Sequence, residues 1–306
     1  MTQLRDELVA RAIAAGACAA GVTSACPIEP PHTEAYHSWI SSGKHASMDY
    51  MARYDDVRSD PRLLLEGARS ILCMAFSYYE PGAPRSALFA DYALGEDYHT
   101  ALRRRLEPLS EWMRQRVEGS LTRICIDTAP LRERLLAAKA GIGFIGLNGQ
   151  LITSVGSRVF LAEILWTADA APSEPTPRRC LMCRKCIAAC PGGALDGSGT
   201  VDARKCLSYL TIEHRGELPD GIALPGRIYG CDICQDVCPH NRRNGSPVIE
   251  ELRPRAAMLT LDREAILTMN PETYSATFRR SAVKRVKLPV LQRNAALTRP
   301  KGGDIS

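Results

Sequence analysis

Apolar positions along the first 170 residues switch between two periods, and each switch marks an element. From residue 2 to residue 15 the apolar side chains share one helical face, and Gly16 stops the run. Cys18 to Thr23 reads as the strand this helix feeds, and the unbroken apolar run Ser70 to Ser77 predicts a buried strand. Residues 98–117 predict a long helix carrying Arg103, Arg104, Arg105, Arg114 and Arg116. Leu121 to Asp127 is apolar and β-branched and ends in an acid. Leu131 to Ala140 predicts a helix closed by Gly141, and Val159 to Thr167 a last strand. Such alternation predicts a layered α/β domain over residues 1–172.

The proline-rich stretch Ala171-Pro172-Ser173-Glu174-Pro175-Thr176-Pro177 breaks both periods and predicts a boundary. Beyond it lie a cysteine-rich module at 178–245 and a segment of short helices at 246–306. The apolar stripe of that last segment includes Ile266, Phe278, Val283, Val286, Leu288, Leu291 and Leu297. With 306 residues and 45% hydrophobic content, the chain can bury one or two cores. No stretch approaches the roughly 20 apolar residues of a membrane span. The charged opening Met1-Thr2-Gln3-Leu4-Arg5-Asp6-Glu7 lacks the apolar core of a signal peptide. A cytoplasmic protein without a membrane partner is expected.

Twelve cysteines change the picture. Cys180-x2-Cys183-x2-Cys186-x3-Cys190-Pro191 is the bacterial iron–sulfur spacing, in which three thiolates bind one [4Fe-4S] cluster and the fourth crosses to another. The second run, Cys231-x2-Cys234-x3-Cys238-Pro239, is one ligand short, and Cys206 fills the gap. The crossing rule assigns Cys180, Cys183, Cys186 and Cys238 to cluster one, and Cys190, Cys206, Cys231 and Cys234 to cluster two. A zinc ribbon would use pairs of pairs, and the C-x3-C-P ending is foreign to it. Disulfides would need an oxidising compartment. Cys18, Cys26, Cys73 and Cys125 sit singly among apolar residues and read as ordinary buried thiols.

Cysteine-ligated cubanes move electrons and leave no open iron, so the α/β domain is expected to hold a second redox centre or a substrate. Its best catalytic candidate is Asp127, at the carboxyl end of a predicted strand, where open α/β sheets form ligand crevices. The alternative is an N-cap for the helix that Pro130 opens. Gly141-x-Gly143-x-x-Gly146 matches a dinucleotide fingerprint in spacing but follows a helix and precedes a strand, the reverse of what NAD binding needs. From Ser275 to Lys301 eight basic residues occur without an acid: Arg279, Arg280, Lys284, Arg285, Lys287, Arg293, Arg299 and Lys301. Either a polyanion partner or a solvated basic face accounts for them.

Several motifs in order resemble the epoxyqueuosine reductases. They are Asp60-Pro-Arg-Leu-Leu-Leu, Asp97-Tyr-His, Asp127-Thr-Ala-Pro-Leu-Arg-Glu-Arg, Ala140-Gly-Ile-Gly-Phe-Ile-Gly, Cys206-Leu-Ser-Tyr, Tyr229-Gly-Cys-Asp-Ile-Cys and the tail Phe278-x-x-Ser-Ala-x-x-Arg-x-Lys. The resemblance implies an N-terminal α/β (α+β) cobalamin-binding domain, a ferredoxin-like domain with two [4Fe-4S] clusters and a short helical tail. It implies removal of the epoxide oxygen of epoxyqueuosine at the wobble base of tRNA, with Asp127 as proton donor, its carboxyl pKa raised by burial against the corrin. Corrin contacts are implied for His99, Gly146, Leu147, Asn148, Ser208, Asp232 and Ile233. Arg215, Lys284, Arg285 and Lys287 are the candidate contacts to the tRNA anticodon loop, and an external flavodoxin- or ferredoxin-type donor would supply electrons. A dehalogenase-like B12 reductase and a plain electron-transfer protein are the other readings. Leu147 stands where many relatives carry Lys, His240 where an aromatic residue is common, and the chain ends before the longer helical extension of many relatives.

Overall fold

The computed structural model describes residues 1–219, 222, 224–242 and 247–299. Four strands form the central sheet: β1 Ala19–Ser24, β2 Ser70–Ser77, β3 Thr122–Cys125 and, last in the chain, Val159–Trp166. Their spatial order is β1, β2, Val159–Trp166, β3, and every neighbour is antiparallel. The mixed α/β class is as expected, but the sheet has no parallel pair. The crevice rule for parallel sheets therefore does not explain the position of Asp127.

Helix α1, Thr2–Ala14, packs on one face of the sheet, as does α2, Tyr98–Arg116. Leu102, Leu106 and Met113 of α2 are fully buried there against Phe76, Ile164 and Trp166. The period predicted for residues 98–117 thus serves to hold Tyr98 and His99, at the start of α2, in a fixed place. The other face is covered by the short helix α3, Glu133–Lys139, with Leu136 and Ala137 against Cys73, Cys125 and Leu165. Cys73 and Cys125 are buried as expected, while Cys18 and Cys26 are half-buried.

After α3 a hairpin forms, β4 Gly143–Ile145 with β5 Leu151–Thr153. The glycine run serves this hairpin. A Cβ at Gly141, whose φ is +76°, would lie 2.1 Å from the Glu174 carbonyl oxygen, and one at Gly146 would lie 2.6 Å from Ile152 Cδ1. The proline-rich stretch is not a free tether, because Ser173 exchanges hydrogen bonds with Val22 (2.8 and 3.0 Å) on the open edge of β1.

The C-terminal helices share their core with earlier segments. Met258, Ile266, Phe278, Val283, Val286 and Leu291 pack against Phe89, Leu94, Ile228 and Tyr229. Leu297 is a correction to the predicted stripe: it is 45% exposed. The helix at Pro30–Ser41 has no buried residue and escaped the sequence reading because it has no clear apolar face. If α2 is held by burial on the sheet, Leu106→Ala should lower the urea midpoint by about 2–5 kcal/mol of stability with the m-value unchanged. A loss below about 1 kcal/mol would place the anchor elsewhere.

Candidate active site and cluster module

Asp127 lies two residues past β3 with φ +55°, a left-handed conformation rare for a side chain other than glycine. It does not cap α3, whose N-cap is Arg132. Its Oδ2 accepts from Tyr98 Oη (3.0 Å) and lies 3.0 Å from His99 Nε2, while its own N–H donates to Glu133 Oε1 (2.7 Å). His99 Nδ1 is 2.8 Å from Asp97 Oδ1. The imidazole is thus clamped between two carboxylates.

That clamp decides where the proton rests. Burial alone would lower the His99 pKa, but hydrogen bonds and charge from Asp127 and Asp97 outweigh it and push the value up to about 9. Burial alone would raise Asp127, yet His99, then Tyr98 and Arg285, hold its carboxyl below the ordinary range. The protein's own groups thus pull Asp127 down, opposite to the raised value expected of a carboxyl buried against a corrin. In the folded protein Asp127 is the carboxylate and His99 the imidazolium, and an imidazolium has no lone pair for a metal. Both are open to solvent, at 56% and 34% side-chain exposure.

Behind them stands an aromatic wall. Tyr98 stacks on Phe160 (centroids 4.2 Å, planes 13° apart) and on His99 (4.1 Å), and Tyr92 bridges to Tyr98 (6.5 Å) and to Tyr229 (6.0 Å). Tyr229 lies two residues before Cys231. A second route runs along α4, Leu207–Ile212, which starts beside Cys206. At its far end Glu213 grips Arg285 in two 3.0 Å contacts, and Arg285 lies within electrostatic reach of Tyr50 and Asp127.

The eight predicted thiols separate into two groups. Cys238 faces Cys186, Cys183 and Cys180, whereas Cys234 faces Cys231, Cys206 and Cys190. These neighbours are the ones the crossing assignment calls for. Cys234 is also within reach of Cys186, so the two sites adjoin. The first quartet reaches the surface at exposed Cys183 although its Cys238 is buried, whereas all four thiols of the second are half-buried. Ser208 and Ile233 offer backbone N–H groups to Cys206 and Cys231.

Other candidates fall into different surroundings. Leu147 and Asn148 line the concavity of cluster one with Cys180, Cys183, Cys186, Cys238 and His240, and the buried Asn148 Nδ2 has no partner there. Gly146 turns the hairpin. Asp232 is 1% exposed and locked in an ionic network, accepting from Asp91 N (2.9 Å) with Arg227 at 3.4 Å and Arg85 at 3.6 Å. Of the basic tail, Lys284 lies over the Tyr274 ring at 5.3 Å and Lys287 is exposed. Arg215 donates to the Arg285 carbonyl (3.1 Å), which places it beside the tail. Arg293 is a correction: it donates to the carbonyls of His214, Leu210 and Gly216 and is a structural residue. The side chain of Arg299 and the whole of Lys301 lie outside the described residues. Sequence reasoning missed Tyr98, Asp97, Glu133 and Tyr50. Asp97, Tyr98 and Glu133 carried a signal only as members of family motifs, and Tyr50 carried none.

Two family models match: "4Fe-4S double cluster binding domain" over residues 179–241 and "Epoxyqueuosine reductase QueG, DUF1730" over residues 58–128. An epoxyqueuosine reductase of Synechocystis sp. is 38% identical over 267 residues, 84% of this chain and 92% of the relative. One from Gloeobacter violaceus is 36% identical over 99% of this chain and 98% of its own length. Among solved structures, an epoxyqueuosine reductase with an epoxyqueuosine-modified tRNA-Tyr stem loop superposes with TM-score 0.86 at 31% identity, over 96% of this chain and 80% of that one. A Bacillus subtilis epoxyqueuosine reductase whose catalytic aspartate loop is swung out of the active site matches at TM-score 0.86 and 30% identity, with the same coverage. The chain belongs to the epoxyqueuosine reductase family, as an oxidoreductase that reduces epoxyqueuosine to queuosine with two [4Fe-4S] clusters as its electron carriers.

Proposed function

We propose that the reaction takes place on the anticodon loop of tRNA in the cytoplasm, at the face formed by Asp127, His99 and Tyr98, with cobalamin as the second cofactor. The clamped His99–Asp127 pair carries this reading. Opening an epoxide to the alkene takes two electrons and two protons and releases the oxygen as water. Protonation of the departing oxygen is thus the step a protein side chain has to serve. The imidazolium of His99 holds a proton 3.0 Å from Asp127 Oδ2, and Asp127 passes it to the oxygen, with Tyr98 fixing the carboxylate from the other side.

The residues present fit cobalamin. The aromatic wall and the Cys206–Glu213 segment join the cluster-two thiols to the Asp127 face, and that face is open rather than enclosed. His99, Ser208 and Ile233 border this route and would hold the group; Leu147 and Asn148 serve cluster one instead. Cobalamin, when bound, would supply a strongly reducing metal centre, and the clamp leaves His99 to hold a proton rather than a metal. That a relative's loop with a catalytic aspartate swings out of its active site supports the same role for Asp127, which sits on a short loop of its own.

A relative holds a modified tRNA stem loop, and here Arg285, within electrostatic reach of Asp127, supplies phosphate contacts together with Lys284 and Lys287 of the same tail, with Arg215 behind it. Electrons enter at the first cluster. Around exposed Cys183, Leu181 and Met182 are each 62% exposed, and Arg178, Arg179, Arg184 and Lys185 surround them with no acid between Glu174 and Asp196. An apolar tip ringed by positive charge suits an acidic donor of flavodoxin or ferredoxin type.

Asp127→Asn should lower kcat on epoxyqueuosine tRNA by about 10²–10⁴-fold with cluster content unchanged; full activity would remove the assignment. His99 has a raised pKa, so its proton is present below about pH 9 and lost above it. Activity should therefore decline as pH rises through about 9, a limb absent in the residual activity of His99→Gln. Replacing Lys284, Arg285 and Lys287 together by Ala should weaken tRNA binding and lower its log–log salt slope by about 2; an unchanged slope would return these residues to a solvated face. Arg178→Glu with Arg179→Glu should slow turnover with an acidic flavodoxin about tenfold at low salt, yet leave turnover with dithionite intact. Equal rates with both reductants would move the entry point elsewhere.

A further inference from the structure

One buried acid has no place in the mechanism above. Glu163 sits in the middle of the sheet strand Val159–Trp166, opposite Cys73 on β2 and Cys125 on β3. It is 0% exposed, and among the described residues neither of its oxygens has a donor; the carboxyl of Glu133 is the polar group it faces. Glu133, the first residue of α3, reaches down to Glu163 and also accepts the Asp127 N–H at 2.7 Å. Two carboxylates cannot hydrogen-bond each other, so contact between them requires a proton shared by the pair.

We propose that Glu133 and Glu163 form a proton-sharing positioning pair for the catalytic loop, in which Glu163 keeps the proton and donates it to Glu133, leaving Glu133 as the acceptor that fixes the Asp127 peptide. The fixed peptide is the left-handed one, and its orientation points the carboxylate of Asp127 at His99 and Tyr98. A left-handed aspartate is unfavourable by itself and persists when its surroundings determine it. Here the determinant is one short hydrogen bond to an acid that is itself held from below.

The direction of proton sharing follows from the surroundings. Burial first, then the charge of Glu133, pushes Glu163 well above the carboxylate range. Burial, then the charge of Asp127, raises Glu133 to about 7. The groups that face the pair are Cys73 and Cys125 from the flanking strands, both thiols pushed up by burial, Asp127 and Tyr98 across the loop, and Arg134 beside Glu133. Arg134 is turned away to the Gly149 carbonyl. Below about pH 7 Glu133 gains a proton of its own and becomes a weaker acceptor, so the loop is released as pH falls. Above it the peptide is held.

The inference rests on Asp127 as the reacting carboxylate, and the experiment separates the two. Wild type, Asp127→Asn, Glu133→Ala, Glu133→Gln and Glu163→Gln are compared for kcat and KM on epoxyqueuosine tRNA across pH, with cluster content checked by absorbance. Glu133→Ala should lower kcat about tenfold or more with KM for tRNA unchanged. Glu133→Gln keeps the acceptor and should retain most of the rate while losing the acidic limb near pH 7. Infrared spectra should show a buried protonated carboxylic acid in wild type that is missing in Glu163→Gln, a readout independent of turnover. A Glu133→Ala enzyme with normal kcat, an acidic limb that survives in Glu133→Gln, or no Glu163-dependent acid band would each overturn the proposal. Loss of activity in the Glu133 variants alongside a fully active Asp127→Asn would instead sink the underlying role of Asp127.

Discussion

The clamp of His99 between Asp97 and Asp127 is the interaction on which the site depends. Two carboxylates within 3.0 Å of one imidazole leave it protonated through the neutral range and leave Asp127 charged. The alternative design, a lone carboxyl raised by burial, would hold its own proton but would need a dry pocket. Storing the proton on an imidazolium and presenting it through a carboxylate needs no such pocket.

The cysteine module adjoins that face through Tyr229 and the segment that follows Cys206. The first quartet lies at a basic surface, the second adjoins it through Cys186 and Cys234, and the Tyr229–Tyr92–Tyr98 wall and the Cys206–Glu213 segment continue to Asp127. The crossing of Cys190 and Cys238 between quartets is what ties the module together, since each run must fold onto the other to complete its ligand set. Asp232, between two ligands of cluster two, shows how tightly this is fastened: it anchors the Asp91 amide in a buried ionic network instead of facing a cofactor.

Residues that announce themselves by covalent chemistry were legible in the chain. The cysteine spacings gave the double-cluster module, and the apolar periods gave α1, α2 and the four sheet strands nearly to their ends. What was not legible depends on chain reversal. The antiparallel order of the sheet could not be read because apolar runs such as Ser70–Ser77 are the same in either direction. Glu133 and Glu163 are 30 residues apart and look like surface acids until the strand and helix bring them together. The glycine run looked like a ligand cradle because close approach is visible in sequence while the approaching group is not; here it is the Glu174 carbonyl and the hairpin's own Ile152. For Asp127 the sequence displayed burial as a cause but not His99, which arrives from a helix 28 residues away and opposes it.

An antiparallel sheet also explains why the reacting acid sits on a strained loop. In a parallel sheet the helix that follows a strand begins at the strand's end and its N-terminal amides can hold an acid directly. Here β3 ends at Cys125 and α3 starts only at Glu133, so the peptide of Asp127 lies clear of the helix and receives nothing from its amides. A side chain from the helix start must reach back instead, and Glu133 does so. Because that side chain is an acid next to the acid it positions, its charge opposes Asp127, and a second acid below must hold a proton to keep it in place. The loop is thereby fixed by a hydrogen bond from its backbone to a side chain rather than by a helix.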